Sequence, residues 1–232
     1  MTNYEKILKQ LERKLSALIA SLLRNGATEQ QIISAARNLI REFNPYKRLS
    51  TQFLNDADSL LTQVFLDSKE KLTWIEMKTR PKPSRKALNT LIVGKSQFAM
   101  LDGTINMRVV DALKKAIKEK LTAKEFTDLV QKAISGSRYQ ANTISNTALQ
   151  GYSSANRIDM ERAAGVKFWK YSGPPAERSF CTTRFGKQYS YEEITAMDNN
   201  QNLPVLYYGG GWNCPHFWEA VITPDLIQKG AK

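Results

Sequence analysis

The chain has 232 residues, with 34 Lys and Arg, 22 Asp and Glu and a single His, for a net charge of +12. At 42% hydrophobic and 24% charged it has the make-up of a folded chain with room for a sizeable core, which excludes a wholly disordered polymer. No apolar run reaches the ~20 residues that span a bilayer, and the opening Met1-Thr2-Asn3-Tyr4-Glu5-Lys6 has no secretory apolar core, so neither a membrane protein nor a secreted one is expected.

Thr2 and Glu5 have the spacing of a capping box. Ile7, Leu8, Leu11, Leu15, Leu18, Ile19 and Leu22 follow at helical period, so a first helix is predicted up to a stop at Asn25-Gly26. Thr28 with Gln31 opens a second, carried by Ile32, Ile33, Ala36, Leu39, Ile40 and Phe43 until Pro45. A third is predicted from about Thr51, with Leu54, Leu61, Val64 and Phe65 facing inward. Arg80-Pro81-Lys82-Pro83-Ser84 breaks the period and reads as a linker or sharp turn, because two prolines cannot extend a helix. Helical signal resumes at Leu88, Leu91 and Ile92, stops near Asp102-Gly103, and returns with Val109, Leu113, Ile117 and Leu121. Thr122 with Glu125 is a further capping box, followed by Phe126, Leu129, Val130 and Ile134 and a stop at Gly136. Ser137 then caps a long helix to about Ala164, which Gly165 ends.

After Gly165 the character changes. Val166 to Tyr171 is short, aromatic and partly alternating, the pattern of a strand. Gly173-Pro174-Pro175 turns the chain, Ser190 opens a short helix through Met197, and Asp198 to Asn202 is a polar loop. Leu203 to Tyr208 reads as another strand, Gly209-Gly210-Gly211 as a tight loop and Phe217 to Ile222 as a last strand. The expected fold is mainly α: an N-terminal helical bundle or arm, then a small irregular α+β C-terminal module. Three regions are expected: 1–80 and 84–165, both helical, and the aromatic Cys/His-containing module 166–232.

The charge is uneven. Residues 1–165 carry 27 basic and 16 acidic side chains, whereas residues 166–232 carry 7 and 6. A cationic helical region suits a polyanion or an acidic protein surface, and equally a solvated helix face with no partner. Lys78, Arg80, Lys82, Arg85 and Lys86 gather around the proline turn, and Lys114, Lys115 and Lys118 form a second group; both are candidate phosphate contacts. The aromatics after residue 165 can stack bases, but with few cations beside them their expected use is a small core.

Cys181, Cys214 and His216 are the one constellation that stands out, because thiolate and imidazole are the ligands zinc prefers. A structural zinc takes four ligands, so Glu177, Asp198 or a water would have to complete the set, and Glu177 lies nearest Cys181 in sequence. A disulfide between the cysteines and inert buried thiols are the other two readings. Enzyme readings fare poorly. One histidine excludes His-rich catalytic zinc sites, HExxH is absent, and Gly209-Gly210-Gly211 lacks the Lys and Ser/Thr of a phosphate loop. Nothing in the sequence orients His216 as a base for Cys181, and Glu192-Glu193 sit where they stabilise a helix dipole.

The C-terminal third carries Lys170-Tyr171-Ser172-Gly173-Pro174, Arg178-Ser179-Phe180-Cys181, Gly186-Lys187-Gln188-Tyr189, Glu192-Glu193-Ile194, Asp198-Asn199-x-Gln201 and Gly209-Gly210-Gly211-Trp212-Asn213-Cys214-Pro215-His216-Phe217-Trp218 in that order. This resembles the C-terminal module of tailed-phage minor head proteins, the head morphogenesis family that includes the Mu protein F-like proteins. The helix before it, with Ile144, Asn146-Thr147-Ala148, Ala155-Asn156, Met160 and Ala163-Ala164-Gly165, is similar to that family's preceding helix. The resemblance covers about residues 138–222. Cys181, Cys214 and His216 stand at the family's Cys/His positions, while Glu177-Arg178-Ser179 replaces its acid and Arg-Thr, and Pro215 replaces a common arginine. The resemblance implies a virion component in few copies, in the head and portal region and in the host cytoplasm during assembly, and with the poor enzyme readings above no enzymatic activity is expected. Its implied partner is portal or major capsid protein; the cationic helices would also suit packaged DNA, and further copies of the chain are an additional expected contact. A stand-alone DNA-binding protein is the alternative, and a zinc-dependent hydrolase ranks behind it.

Overall fold

The computed structural model describes residues 2–73, 75–119 and 122–226, except the side chains of Ile117, Ala123, Phe126 and Thr127. Leu121, and the apolar side chains expected at Ile117 and Phe126, therefore lie outside the described residues, as does the end of the expected C-terminal module.

The chain is mainly helical with a small α+β region near its C-terminus, as expected. Helix α1 spans Asn3–Arg24 and α2 spans Glu29–Phe43, and both open with a complete capping box, on Thr2/Glu5 and Thr28/Gln31. Asn44 ends α2 in the left-handed region at φ 50°, and its side chain accepts from the backbone N–H of Lys47 at 2.9 Å. Helix α3 consequently begins at once and spans Pro45–Lys71, six residues before the expected Thr51. Pro45 starts this helix as well as following the last one, since its fixed φ suits the first helical position and its missing N–H would be unpaired there anyway.

Helix α4 runs unbroken over Arg85–Lys118 and α5 over Ala123–Ala163. The stops expected at Gly103 and Gly136 do not occur. Leu101, Ile105, Val109 and Leu113 form one buried stripe across Gly103, and Val130, Ile134, Ser137, Ala141 and Ile144 form another across Gly136. A glycine costs a helix about 1 kcal/mol, less than a continuous buried stripe returns. Gly165, at φ 89°, does end α5: its N–H donates to Arg162 and that of Val166 donates to Glu161.

The remaining elements are β1 (Phe168–Ser172), α6 (Ser179–Arg184), β2 (Gln188–Ser190), α7 (Tyr191–Ala196), α8 (Val205–Tyr208) and β3 (Phe217–Ala220). The strand expected over 203–208 is a helical turn instead. Strand β1 already has β2 and β3 antiparallel on its two sides, which leaves no edge for it there. No helix among the described residues is long and apolar enough to cross a membrane.

The chain divides into two compact units. One takes Met1–Phe53 and Gly94–Ser145, the other Leu54–Val93 and Asn146–Lys232, so the division cuts across the three regions expected in chain order. In the first unit, Leu8, Leu11, Leu15 and Ile19 of α1 and Ile32, Ala36 and Ile40 of α2 are buried. Phe98 stacks on Tyr4 at 5.9 Å and meets Phe53 edge-on at 5.6 Å. Asn142 donates to Glu5 at 2.9 Å and accepts from the Thr2 hydroxyl at 2.6 Å, tying α5 to the cap of α1.

In the second unit, Trp169 and Tyr171 point from β1 into a core with Trp218, Ile158, Ile194, Val205, Leu206 and both cysteines. Trp169, Tyr171 and Trp218 are fully buried, and aromatic side chains of this size bury roughly 150–250 Å² each. Their polar atoms are placed: the Trp218 indole N–H donates to the Val205 carbonyl at 3.1 Å, and that of Trp169 to Glu161 at 2.6 Å.

Candidate metal centre

Cys181 lies in the first turn of α6. That turn is reached from β1 through Gly173, at φ 149°, and the two prolines that follow. Cys214 and His216 lie on the extended segment entering β3. The 33 residues from Cys181 to Cys214 loop out through β2, α7 and α8 and return, so that Cys181, Cys214 and His216 converge with their donor atoms all within 4.8 Å of one another. All three are buried.

The two Sγ atoms are 3.7 Å apart and both cysteines are free, so no disulfide joins them. His216 Nδ1 is 3.5 Å from Cys214 Sγ, and its Nε2 is 2.8 Å from the Pro174 carbonyl oxygen. A carbonyl only accepts, so Nε2 carries a proton, and Nδ1 is the ring nitrogen that faces the thiols. Metal-binding histidines are oriented by this kind of second hydrogen bond. The Gly210 backbone N–H donates to Cys214 Sγ at 3.2 Å.

The glycine run makes room for the sulfurs. A Cβ on Gly210 would stand 2.6 Å from Cys181 Sγ and 3.2 Å from Cys214 Sγ, so only glycine brings its backbone this close. Three side chains fix the loop. Arg178 donates to the carbonyls of Gly210 and Trp212 at 3.3 and 2.9 Å. Asn199 donates to the Gly209 carbonyl at 3.0 Å. Gln201 accepts from the Trp212 N–H at 2.8 Å and donates to the Gly210 carbonyl at 3.3 Å. The segment expected to be merely a polar loop, Asp198-Asn199-x-Gln201, thus builds the wall of the site. From α5, Thr147 accepts from the Asn213 N–H at 3.1 Å and Gln150 donates to the His216 carbonyl at 2.9 Å.

Glu177 is exposed and is not among the converging donors. It sits in the solvent-facing stretch after Pro174-Pro175, so its expected place as fourth ligand is not supported by where the chain carries it. The residue missed by sequence reasoning is Tyr171. Its hydroxyl lies 3.4 Å from Cys181 Sγ and 3.5 Å from Cys214 Sγ, and its ring stacks on His216 at 5.3 Å. Burial pushes this phenol far above its ordinary pKa, and burial likewise raises the Cys181 thiol. The strand alternation puts Tyr171 inward, but nothing in the sequence marks its oxygen as part of the cluster.

The donor set fits a soft, tetrahedral ion of the zinc class. With Zn–S of about 2.3 Å and Zn–N of about 2.0 Å, such an ion sets S···S edges of about 3.8 Å and S···N edges of about 3.5 Å. The observed 3.7 Å and 3.5 Å match both.

The candidate phosphate contacts are dispersed among other roles. Arg80 pairs with Asp58 at 2.9 Å and donates to Thr62 at 2.8 Å. Lys78 pairs with Glu76 at 3.3 Å, and Lys86 donates to the Tyr191 hydroxyl at 2.9 Å. Lys82 and Arg85 are exposed. Lys114, Lys115 and Lys118 are exposed along the end of α4, where cations also complement the helix dipole. Lys114, with Arg37 and Arg41, lines an open cleft of about 1050 Å³ in the first unit.

In comparisons with known proteins, no family model matches the chain, and it matches neither a curated protein nor a solved structure.

Proposed function

We propose that this chain is a minor head protein of a tailed phage: a virion structural component that docks on portal or major capsid protein and acts in head assembly, DNA packaging or genome delivery. The observation that carries the reading is the convergence of Cys181, Cys214 and His216, the three Cys/His positions of the resembling segment, in one small core. In this reading the metal is a structural pin for the second unit, and the helical remainder supplies the docking surface. A non-enzymatic role agrees with the buried Cys181, whose raised thiol pKa leaves it a poor nucleophile.

The test is composition. Particles purified from cells producing the chain are expected to contain it in few copies, and it is expected to co-purify with the portal oligomer. Its complete absence from assembled particles overturns the reading. A stand-alone DNA-binding role is favoured by one observation, the exposed cations Lys114, Lys115 and Lys118 beside the cleft that Arg37 and Arg41 line. It requires an affinity for duplex DNA that falls with salt at a log–log slope near ~0.9 per phosphate contacted. No binding at low salt removes it.

A further inference from the structure

We infer that the phenol oxygen of Tyr171 is the fourth donor of the metal centre, so that the chain itself supplies a closed set of two thiolates, one imidazole and one phenolate. The inference rests on the metal reading of Cys181, Cys214 and His216.

Four of the six edges of one tetrahedron are in place. The Tyr171 oxygen lies 3.4 and 3.5 Å from the two sulfurs, beside the S···S edge of 3.7 Å and the S···N edge of 3.5 Å. For a Zn–O bond of about 2.0 Å, the S···O edges of a tetrahedral site are about 3.5 Å. The position is built rather than incidental. A Cβ on Gly209 would stand 2.8 Å from this oxygen, so the glycine run clears space for the phenol as well as for the sulfurs. Trp218, with its ring centroid 4.6 Å away, and His216 both pack on the Tyr171 ring and hold it in place.

The competing fourth donors fit less well. Glu177 is exposed and outside the cluster. A water ligand would have to take the place that the Tyr171 oxygen already holds beside both sulfurs, among side chains that are 0–3% exposed. Loading exchanges three protons, one from each thiol and one from the phenol, for the divalent ion, and all three are released to solvent. With four protein donors no coordination position stays open, which makes the centre structural and leaves no place for a metal-bound nucleophile.

The test uses the full chain, reduced and metal-free, titrated with Co2+ and then with competing Zn2+. Wild type is expected to give the intense visible absorption of four-coordinate cobalt, together with an ultraviolet difference band from one ionised tyrosine. Tyr171→Phe keeps the stacked ring and removes only the oxygen. It is expected to lose the tyrosine band, alter the cobalt spectrum and bind at least tenfold more weakly, whereas Glu177→Gln changes none of these. If wild type loads with four-coordinate spectra but shows no tyrosine band, the inference fails while the metal reading stands. It fails in the same way if Glu177→Gln alters the spectrum. If wild type takes up neither ion under reducing conditions, the metal reading fails and the inference with it.

Discussion

The indole N–H of Trp169 donates to Glu161 Oε2 at 2.6 Å inside an otherwise apolar core, joining the central strand of the sheet to the last turn of α5. Arg157 approaches the same carboxyl at 3.9 Å. Burial still outweighs these partners and raises the Glu161 pKa, with Lys71 lowering it and Glu219 raising it from farther off.

A carboxyl raised on folding binds its proton more tightly in the native state than in the unfolded one. Its contribution to stability is therefore complete below the ordinary carboxylate pKa and is lost as pH rises through the raised value. Glu161→Gln keeps an acceptor for Trp169 and cannot ionise. Denaturant titrations from pH 4 to 7.5 are expected to show wild type losing stability relative to Glu161→Gln as pH rises; a difference that is flat or opposite in sign refutes the assignment. Glu161→Ala, which leaves the Trp169 N–H buried without its acceptor, is expected to cost about 1–3 kcal/mol near pH 4, and less as pH rises and the wild-type carboxyl ionises.

Two helix-interior glycines are expected to respond to alanine with opposite signs. At Gly103 an added Cβ meets nothing within 4 Å, so Gly103→Ala is expected to stabilise by about 0.5–1 kcal/mol through helix propensity alone. At Gly151 the Cβ would fall on the ring of Tyr208, which is itself buried. Gly151→Ala is expected to destabilise despite the same gain in propensity. Thermal melts of both variants decide the matter, and matching signs would count against the packing described at Gly151.

If the proposed centre holds its ion, removing it is expected to loosen the second unit selectively, because a pinned module with a small core draws much of its stability from the ion. Under reducing conditions a chelator is expected to speed amide exchange across residues 166–226 and to leave α1 and α2 unchanged. A melt and an exchange pattern both unmoved by chelator would show that the three side chains pack without an ion.

Thr28 accepts from the Gln31 N–H at 3.4 Å, while Gln31 accepts from the Thr28 N–H at 2.8 Å. Thr28→Ala is expected to cost the first unit about 1 kcal/mol. A change below a few tenths in urea denaturation would mean that water replaces the cap at no cost.

Local chemistry is legible wherever neighbours in sequence settle it. The capping boxes at Thr2, Thr28 and Thr122 need partners only three residues away, and all three form; Ser190 with Glu193 makes a further one. Glycine is a weaker stop than its propensity suggests. Gly103 and Gly136 lie within helices because the buried stripes on either side continue in phase, and that phase relation outweighs a single weak residue. Val205 to Tyr208 has the composition of a strand, but which elements flank β1 is a matter of long-range pairing that no local pattern carries.

Amphipathic period, caps and the change of character at Gly165 were determined by the sequence alone, and so were the three residue types able to hold a soft ion. Tertiary structure alone decided that Cys181 meets Cys214 across 33 residues, that the Pro174 carbonyl holds Nε2 of His216 so that Nδ1 faces Cys214, and that a strand tyrosine rather than Glu177 stands beside both sulfurs. The reason is physical. Periodicity says which way a side chain faces, but the meeting of donors from β1, α6 and the approach to β3 depends on how the intervening chain closes, which is settled by packing at a distance.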